Sequence, residues 1–426
     1  MSDSEADSDC DSTIELNGDD GLDAETAGGE VVRYAGAEFI NSVPRRAEIV
    51  ARQSSAAALA AVAPLEQLDP VLFMPVDVED ANEYLGGQPV YVLRIYGAMP
   101  DGSKALVVVT GIHVFFDVLA RPGETAAQLE AQLRAVFFAS NLAPGAVTFE
   151  TVRAFPDRGY RRRDDPALFV RARCDTLQTR RAALEAVHAA AGDAASSLYA
   201  IETKSDDRSS YYRKAARELG LPLSSWAVLR DYEYAAGPTD RAPLCAHVFR
   251  VPAAGYAAAP AARVAAEPLL SRDRTLVLAW DIETHSGRGA GDVPMPEHAA
   301  DHAFMICLAA YWKDSTDPLC RICIVDVDTE PDSRWLTIVC GSPVNVLRAF
   351  ALCFRALAPD IMVGFNDSGY DWPFIVGKAE KLGLLGWLVQ TMSAQGGRAP
   401  GSDSAVRRWN YREQQKIKIS ADETLF

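Results

Sequence analysis

The sequence predicts two folded domains: an α+β domain at residues 80–251, then an α/β domain at residues 271–426 in which helices flank a mixed sheet. In the first block, strand-like and helix-like segments are interspersed. An Ala- and Pro-rich stretch at residues 252–270 predicts a linker. The second block begins with three strands and then adds a helix and a further strand. At 426 residues and 49% hydrophobic, the chain can form two or three such cores.

The N-terminal region carries much of the negative charge. Residues 1–30 contain eleven Asp or Glu, no Lys or Arg and no aromatic residue, in a chain of net charge −16. We predict a disordered acidic tail over residues 1–35 and an irregular lead-in over residues 36–79. This balance argues against nucleic-acid binding through bulk charge. It is compatible with binding in a cleft that uses metals and a few local basic residues.

The first block is predicted from alternating apolar runs, turn residues and one clear amphipathic pattern. Asp101-Gly102 and Gly111 separate three strand candidates, and apolar residues recur at helical spacing between residues 125 and 140. The predicted strands are residues 89–99, 104–111, 113–119, 167–173, 226–234 and 247–251, and the predicted helices are residues 125–140, 177–191 and 211–219.

The second block is predicted from a regular succession of apolar runs. Its predicted strands are residues 275–284, 304–312, 321–327, 337–340 and 361–365, with a helix at residues 344–357 and another starting near Asp371. Three strands, a helix and a strand that leads to an acidic residue is the order of the ribonuclease-H-like fold. No run of eighteen apolar residues occurs, so we expect no membrane span.

Asp281 and Glu283 end the first strand of this block. Side chains alternate along a strand, so the two carboxylates point the same way, roughly 6.6 Å apart along the backbone. Two carboxylates so close repel each other unless a cation lies between them, which is the geometry of a hard-metal site. Asp371 supplies a third carboxylate at the start of the last helix.

Three carboxylates in this setting predict phosphodiester hydrolysis. Without a strong side-chain nucleophile, that reaction calls for two divalent ions about 3.5–4 Å apart, one to activate water and one to neutralise the leaving oxygen. Mg²⁺ takes oxygen ligands and keeps several waters, so a few carboxylates suffice. We expect two Mg²⁺ ions at Asp281, Glu283 and Asp371, with Mn²⁺ as a possible substitute.

These residues resemble two motifs of the family B DNA polymerases. Asp281-Ile282-Glu283-Thr284 is similar to the Exo I motif, and residues 364–373, Gly-Phe-Asn-Asp-Ser-Gly-Tyr-Asp-Trp-Pro, are similar to Exo II in a spelling close to that of large DNA viruses. The resemblance implies that Asp281, Glu283 and Asp371 bind the metals of a 3′→5′ proofreading exonuclease. It implies that Thr284, Asn366 and Tyr370 contact the single-stranded 3′ end of DNA. The block at residues 80–251 would then be the family's N-terminal domain.

The sequence departs from the family in two respects. The Tyr and Asp of the Exo III motif are absent between Trp372 and Phe426, and so are the palm motifs that extend a primer. We therefore expect an incomplete exonuclease domain that does not polymerise DNA and hydrolyses it weakly or not at all. Its expected partners are primer-template DNA, the missing palm, fingers and thumb in cis or trans, and a processivity factor.

Two other functions remain open. One is a free-standing ribonuclease-H-like nuclease, and the other is a non-catalytic nucleic-acid-binding scaffold. The eight cysteines are scattered, and Cys320 and Cys323 are predicted to be core residues of a strand rather than metal ligands. We expect reduced thiols in an intracellular protein that acts in the nucleus or at a viral replication site in the cytoplasm.

Overall fold

The computed structural model describes residues 29–53, 58, 70–85, 88–155, 166–204, 207, 210–240, 242–289, 291–394, 406–407 and 418–419. The predicted tail lies mostly outside these residues. Among the described helices, none combines the length and the apolar character needed to cross a bilayer.

The N-terminal segment joins the sheet of the second block. Strand β1 (Val31–Arg33) pairs in parallel with the strand Leu336–Val339. A 3-10 helix (Gly36–Ser42) and helix α1 (Arg46–Gln53) follow, and Phe39 and Ile49 are buried in the core of that sheet. The sequence predicts a disordered tail to residue 35 and an irregular lead-in, and the structure differs there. The short apolar run at Val31 gains its partner strand only through the tertiary fold.

The first block contains two sheets. In chain order its elements are β2 (Val71–Leu85), β3 (Gln88–Ala98), β4 (Lys104–Thr110), β5 (Val114–Leu119), α2 (Ala126–Ala139), β6 (Val147–Ala154), β7 (Ala167–Cys174), α3 (Leu177–Gly192), β8 (Glu202–Thr203), α4 (Tyr211–Leu219), β9 (Ala227–Leu229), β10 (Glu233–Ala236), β11 (His247–Pro252) and β12 (Tyr256–Ala258). One sheet has the order β10-β11-β4-β3-β2-β9-β12 and the other β6-β7-β5-β8. The second sheet follows a β-α-β-β-α-β succession.

Several elements of this block differ from their predictions. Strand β2 occupies 15 residues that include part of the predicted lead-in. The predicted strand at residues 226–234 is two strands, β9 and β10, and Asp231 between them has a positive φ of 53°. The stretch predicted as a linker contains β12, which pairs with β9, and helix α5 (Ala261–Ala266). The indole of Trp226 donates a hydrogen bond to the Leu270 carbonyl oxygen at 3.0 Å, which ties this stretch to the first block.

The second block forms the predicted mixed sheet. Its elements are β13 (Leu276–His285), β14 (His302–Trp312), β15 (Cys320–Val325), β16 (Leu336–Val339), α6 (Pro343–Leu357), β17 (Ile361–Val363), α7 (Asp371–Lys381) and α8 (Leu385–Met392), with a short hairpin of β18 (Val406–Arg407) and β19 (Lys418–Ile419). The strand order is β1-β16-β15-β14-β13-β17. Strands β13, β14 and β15 are antiparallel neighbours, whereas β17 lies parallel to β13. Helices α6, α7 and α8 bury their apolar faces in one core with the sheet.

A buried ion cluster joins the two blocks. The Asp360 carboxylate accepts two hydrogen bonds from the Arg46 guanidinium, at 2.9 and 2.7 Å, and lies 3.4 Å from the Lys104 ammonium. Arg46 also donates to the carbonyl oxygens of Gly102 and Ala358. Because Lys104 belongs to β4 and Asp360 precedes β17, this cluster fixes the first block against the second.

Candidate active site

Strand β13 presents Asp281 and Glu283 on one face. The burial pattern alternates here: Trp280 and Ile282 are buried in the core, while Asp281 and Glu283 are exposed. Within the described part of the chain, neither carboxylate has a hydrogen-bond or ion-pair partner. The predicted common orientation of the two carboxylates is therefore present, and both lie open to solvent.

Asp371 reaches β13 because β17 is short. Strand β17 pairs with β13 only from Val277 to Ala279, so the backbone of the next β13 residues is unpaired on that side. Asp371, the first residue of α7, occupies this gap, and its Oδ1 accepts a hydrogen bond from the backbone N–H of Ile282 at 3.3 Å. Its carboxylate thus lies against the peptide between Asp281 and Glu283.

The surroundings of Asp371 raise its pKa. Asp371 is 4% exposed, and burial is the largest cause of the increase. The negative charges of Asp281 and Asp367 raise the pKa further, while backbone hydrogen bonds, including that from Ile282, lower it. The carboxylates of Asp281 and Asp367 therefore place negative charge next to Asp371 at this end of β13.

Thr284 and Tyr370 are brought into contact. Their hydroxyl oxygens lie 2.7 Å apart, so the two predicted DNA-contacting residues form one hydrogen-bonded pair beside the carboxylates. Asn366 begins the loop that leads to Tyr370. It has a positive φ of 55°, and its carbonyl oxygen accepts hydrogen bonds from the N–H groups of Gly369 and Tyr370. The Asn366 side chain packs so closely on Gly369 that a Cβ added at Gly369 would lie 2.4 Å from Oδ1 of Asn366.

The donor set at this site is made of oxygen atoms, which suits a hard divalent cation that keeps part of its water shell. The three carboxylates do not form a closed cage. In the portion of the chain that the structure describes, no group of three or more His, Cys, Asp or Glu side chains is arranged to hold a metal ion. The oxygen donors of Asp281, Glu283 and Asp371 are of the chemical type that Mg²⁺ takes, but their arrangement in the described residues is not that of a preformed metal cage.

Two structural features of the site were missed by sequence reasoning. Asp367 accepts a hydrogen bond from the Trp280 indole at 3.2 Å, which fixes the loop against β13. The segment between β13 and β14 is held by Asp301, whose buried carboxylate binds Arg288, Ser286 and the Met295 N–H. Both depend on contacts across the fold, and no local sequence pattern signals them.

The same segment forms a groove beside the site. It packs against α7, where the Lys378 ammonium donates to the His298 carbonyl oxygen at 2.7 Å. The groove has a volume of about 710 Å³, and its lining includes Met295, Tyr370 and Phe374. The lining of this groove is therefore partly aromatic and includes Tyr370, one member of the hydroxyl pair.

Comparison with known proteins identifies the second block. Residues 254–423 match the sequence model of the DNA polymerase family B exonuclease domain. Proteins named "DNA polymerase beta" from African swine fever virus, isolates Pig/Portugal/Lis 60/1960 and Tick/Malawi/Lil 20-1/1983, are each 33% identical over 385 residues. That alignment covers 89% of this chain but only 28% and 29% of the two relatives.

A solved structure is also similar. The family B DNA polymerase from the hyperthermophilic archaeon Pyrobaculum calidifontis aligns with a TM-score of 0.47 and 21% sequence identity, over 74% of this chain and 33% of that protein. This likeness is too weak to support a functional argument. The family-model match and the viral relatives agree, and residues 254–423 are identified as an exonuclease domain of the DNA polymerase family B.

Proposed function

We propose that this chain supplies the N-terminal and 3′→5′ exonuclease portion of a replicative DNA polymerase. Its substrate is the single-stranded 3′ end of DNA, from which it removes the terminal nucleotide by hydrolysis. The observation that carries this proposal is the position of Asp371, which accepts a hydrogen bond from the peptide between Asp281 and Glu283. In this family, that is where the metals of a proofreading site would bind.

The electrostatics of the three carboxylates support metal binding. Asp371 is buried and its pKa is raised, with the charge of Asp281 among the causes, so a bound cation would relieve both the burial cost and the repulsion. Asp281, Glu283 and Asp371 would hold two Mg²⁺ ions, or Mn²⁺ in their place. The bound ions would supply an activated water and stabilise the charge that develops on the leaving oxygen.

The neighbouring side chains would position the DNA. The hydrogen bond between the hydroxyl groups of Thr284 and Tyr370 holds the Tyr370 side chain in the lining of the groove. An aromatic ring there can stack on a base, an interaction of about 1–3 kcal/mol per base. Asn366 would contact the same frayed end from the loop that precedes Tyr370.

The wider setting is proposed from the viral relatives, of which the chain spans 28–29%. A polymerase palm, fingers and thumb would act with this region in cis or in trans on primer-template DNA, with a processivity factor as a further partner. The enzyme would act at an intracellular site of viral DNA replication, in the nucleus or the cytoplasm.

One observation favours a different function. The part of the fold that can be described contains no compact three-ligand metal group, which is what a non-catalytic nucleic-acid-binding scaffold would show. The two functions differ in their need for the carboxylates. An exonuclease requires Asp281 and Glu283 for cleavage, whereas a scaffold binds nucleic acid without them.

The test is a single-turnover cleavage assay. The chain, in excess over a 5′-labelled single-stranded oligonucleotide, is incubated with Mg²⁺ or Mn²⁺. We expect stepwise shortening from the 3′ end that requires the metal and is lost in Asp281→Asn/Glu283→Gln. The matched control is Asp317→Asn/Glu330→Gln, which removes the same charge from two exposed positions. Cleavage that survives in the first variant, or that proceeds equally well without a divalent metal, would refute the proposal.

A further inference from the structure

Two cysteines of the exonuclease sheet lie directly opposite each other. Cys307 of β14 pairs with Cys323 of the antiparallel strand β15. Both thiols are free. Directly opposed side chains project to the same face of a sheet, so the two sulfur atoms share one environment.

The register places this pair where a disulfide can form. The Asp326 N–H donates to the Phe304 carbonyl oxygen at 3.0 Å, which marks a hydrogen-bonded pair three positions from Cys307. Hydrogen-bonded and non-hydrogen-bonded pairs alternate in an antiparallel ladder, so Cys307 and Cys323 form a non-hydrogen-bonded pair. The Cα atoms of such a pair are about 4.5 Å apart. A disulfide spans Cα separations of about 4.4–6.8 Å.

The nearest competing thiol points the other way. Cys320 is three positions from Cys323 on β15, and an odd separation on a strand places side chains on opposite faces. Cys320 packs on the main core, whereas Cys323 packs with Val325 and Val339 on the other face. Cys320 and Cys323 therefore do not face each other, although only two residues separate them in the sequence. Cys323 instead faces Cys307 across the strands.

The two thiols differ in their exposure, which determines which of them reacts first. Cys307 is exposed and Cys323 is buried, so a small oxidant in solution meets Cys307 first. The other cross-strand neighbour of Cys307 is Asp281 of β13. A change at the Cys307 sulfur therefore takes place next to the acidic site.

We propose that Cys307 and Cys323 are a modification site at which a peroxide closes a reversible disulfide. In the first step, hydrogen peroxide transfers one oxygen to the Cys307 sulfur, which gives a sulfenic acid and one water. In the second step, the Cys323 sulfur attacks the Cys307 sulfur, the S–O bond breaks, and the oxygen leaves as a second water with the remaining thiol proton. The two thiols are oxidised and the peroxide is reduced to two waters. This site does not depend on the nuclease proposal.

The test is peptide mapping of the intact chain after treatment with hydrogen peroxide. Digestion without reductant should release a cross-linked peptide that contains Cys307 and Cys323, lighter by two hydrogen atoms than the two reduced peptides together. Dithiothreitol should restore both thiols. The variant Cys307→Ser should lose the cross-link and leave Cys323 as a thiol, and Cys323→Ala should lose it from the other side. Cys320→Ser is the matched control and should retain it.

Three results would overturn the proposal. One is wild-type protein in which both cysteines remain alkylatable after peroxide. Another is Cys307 oxidised to sulfinic or sulfonic acid without a cross-link. The third is a disulfide that joins Cys307 or Cys323 to any other cysteine.

Discussion

Near each end of strand β13, a backbone N–H donates a hydrogen bond to an aspartate carboxylate, but the two carboxylates have different neighbours. At its start, the Leu276 N–H donates to the Asp360 carboxylate at 2.8 Å, and near its end the Ile282 N–H donates to the Asp371 carboxylate at 3.3 Å. Both aspartates are buried beside β17. Arg46 and Lys104 neutralise Asp360, whereas Asp371 faces other carboxylates. Basic side chains of the protein neutralise the carboxylate at one end of the strand, whereas the carboxylate at the other end has acidic neighbours.

The pKa values of the two carboxyl groups follow this difference. Burial acts to raise the pKa of Asp360, but Arg46 and Lys104, together with hydrogen bonds, outweigh it and the pKa is lowered. Burial also raises the pKa of Asp371, and there the charges of Asp281 and Asp367 add to the increase. Asp360 is therefore a structural carboxylate that stabilises the folded state. The fold disfavours the ionised form of Asp371, because burial and the neighbouring acidic groups raise its pKa.

The largest expected effect comes from breaking the structural end. The substitution Arg46→Met removes the bidentate partner of Asp360 and leaves a buried carboxylate with Lys104 as its one cationic partner among the described residues. Loss of one member of a buried ion pair costs about 3–5 kcal/mol, so the free energy of unfolding should fall by about that amount in a urea titration. The exposed neighbour Arg45 provides the control, because Arg45→Met should change the free energy of unfolding by less than about 0.5 kcal/mol. A loss of unfolding free energy below about 1 kcal/mol in Arg46→Met would contradict the stabilising role of the ion cluster.

The effect of Arg46→Met on the free energy of unfolding should depend on pH. The pKa of Asp360 is lowered in the folded state from an ordinary value of 3.8. Its ion pair therefore contributes fully above that value and is lost as the pH falls through the folded pKa. The difference in unfolding free energy between wild type and Arg46→Met should be constant from pH 7 to pH 5 and should shrink below about pH 4. A difference that grows on acidification would contradict this sign.

A smaller effect on the free energy of unfolding is expected in the loop of Asn366, which lies between Asp360 and Asp371 in the sequence. Asn366 has a positive φ of 55°, a conformation that Asn and Gly adopt more readily than Ala. Asn366→Ala should lower the free energy of unfolding by about 1–2 kcal/mol. Asn366→Gly, which keeps the backbone freedom, should cost less. Equal losses in the two variants would show that the side chain of Asn366, rather than its backbone, holds the loop.

The smallest effect on stability is expected at the acidic end. Asp281 and Glu283 are exposed and lack an ion-pair partner within the described residues, so Asp281→Asn/Glu283→Gln should change the unfolding free energy by less than about 0.5 kcal/mol in the absence of metal. Urea titration in a chelator measures this. A loss of several kcal/mol would mean that these carboxylates, like Asp360, have a structural role.

Local patterns predicted most elements of the second block, and contacts across the chain account for what was missed. Strand β14 and helix α6 begin and end within two residues of their predictions, because apolar periodicity and capping residues are local. Arg46 and Asp360 are 314 positions apart, and no local pattern links them.

The strand before Asp371 shows how a small error matters. It was predicted to reach residue 365 but ends at Val363, and Phe365 is 95% exposed. Had it continued in register, residue 365 would lie beside Asp281 and close the gap that Asp371 enters.

The most direct test of the contrast between the two ends is a calorimetric titration with Mn²⁺. Three proteins are compared: the wild-type chain, Asp281→Asn/Glu283→Gln, and the charge-matched control Asp317→Asn/Glu330→Gln. We predict saturable binding to the wild type and to the control, and none to the first variant. Binding of equal strength in all three proteins, or no binding to the wild type, would contradict the proposal that the end of β13 near Asp371 binds a divalent cation.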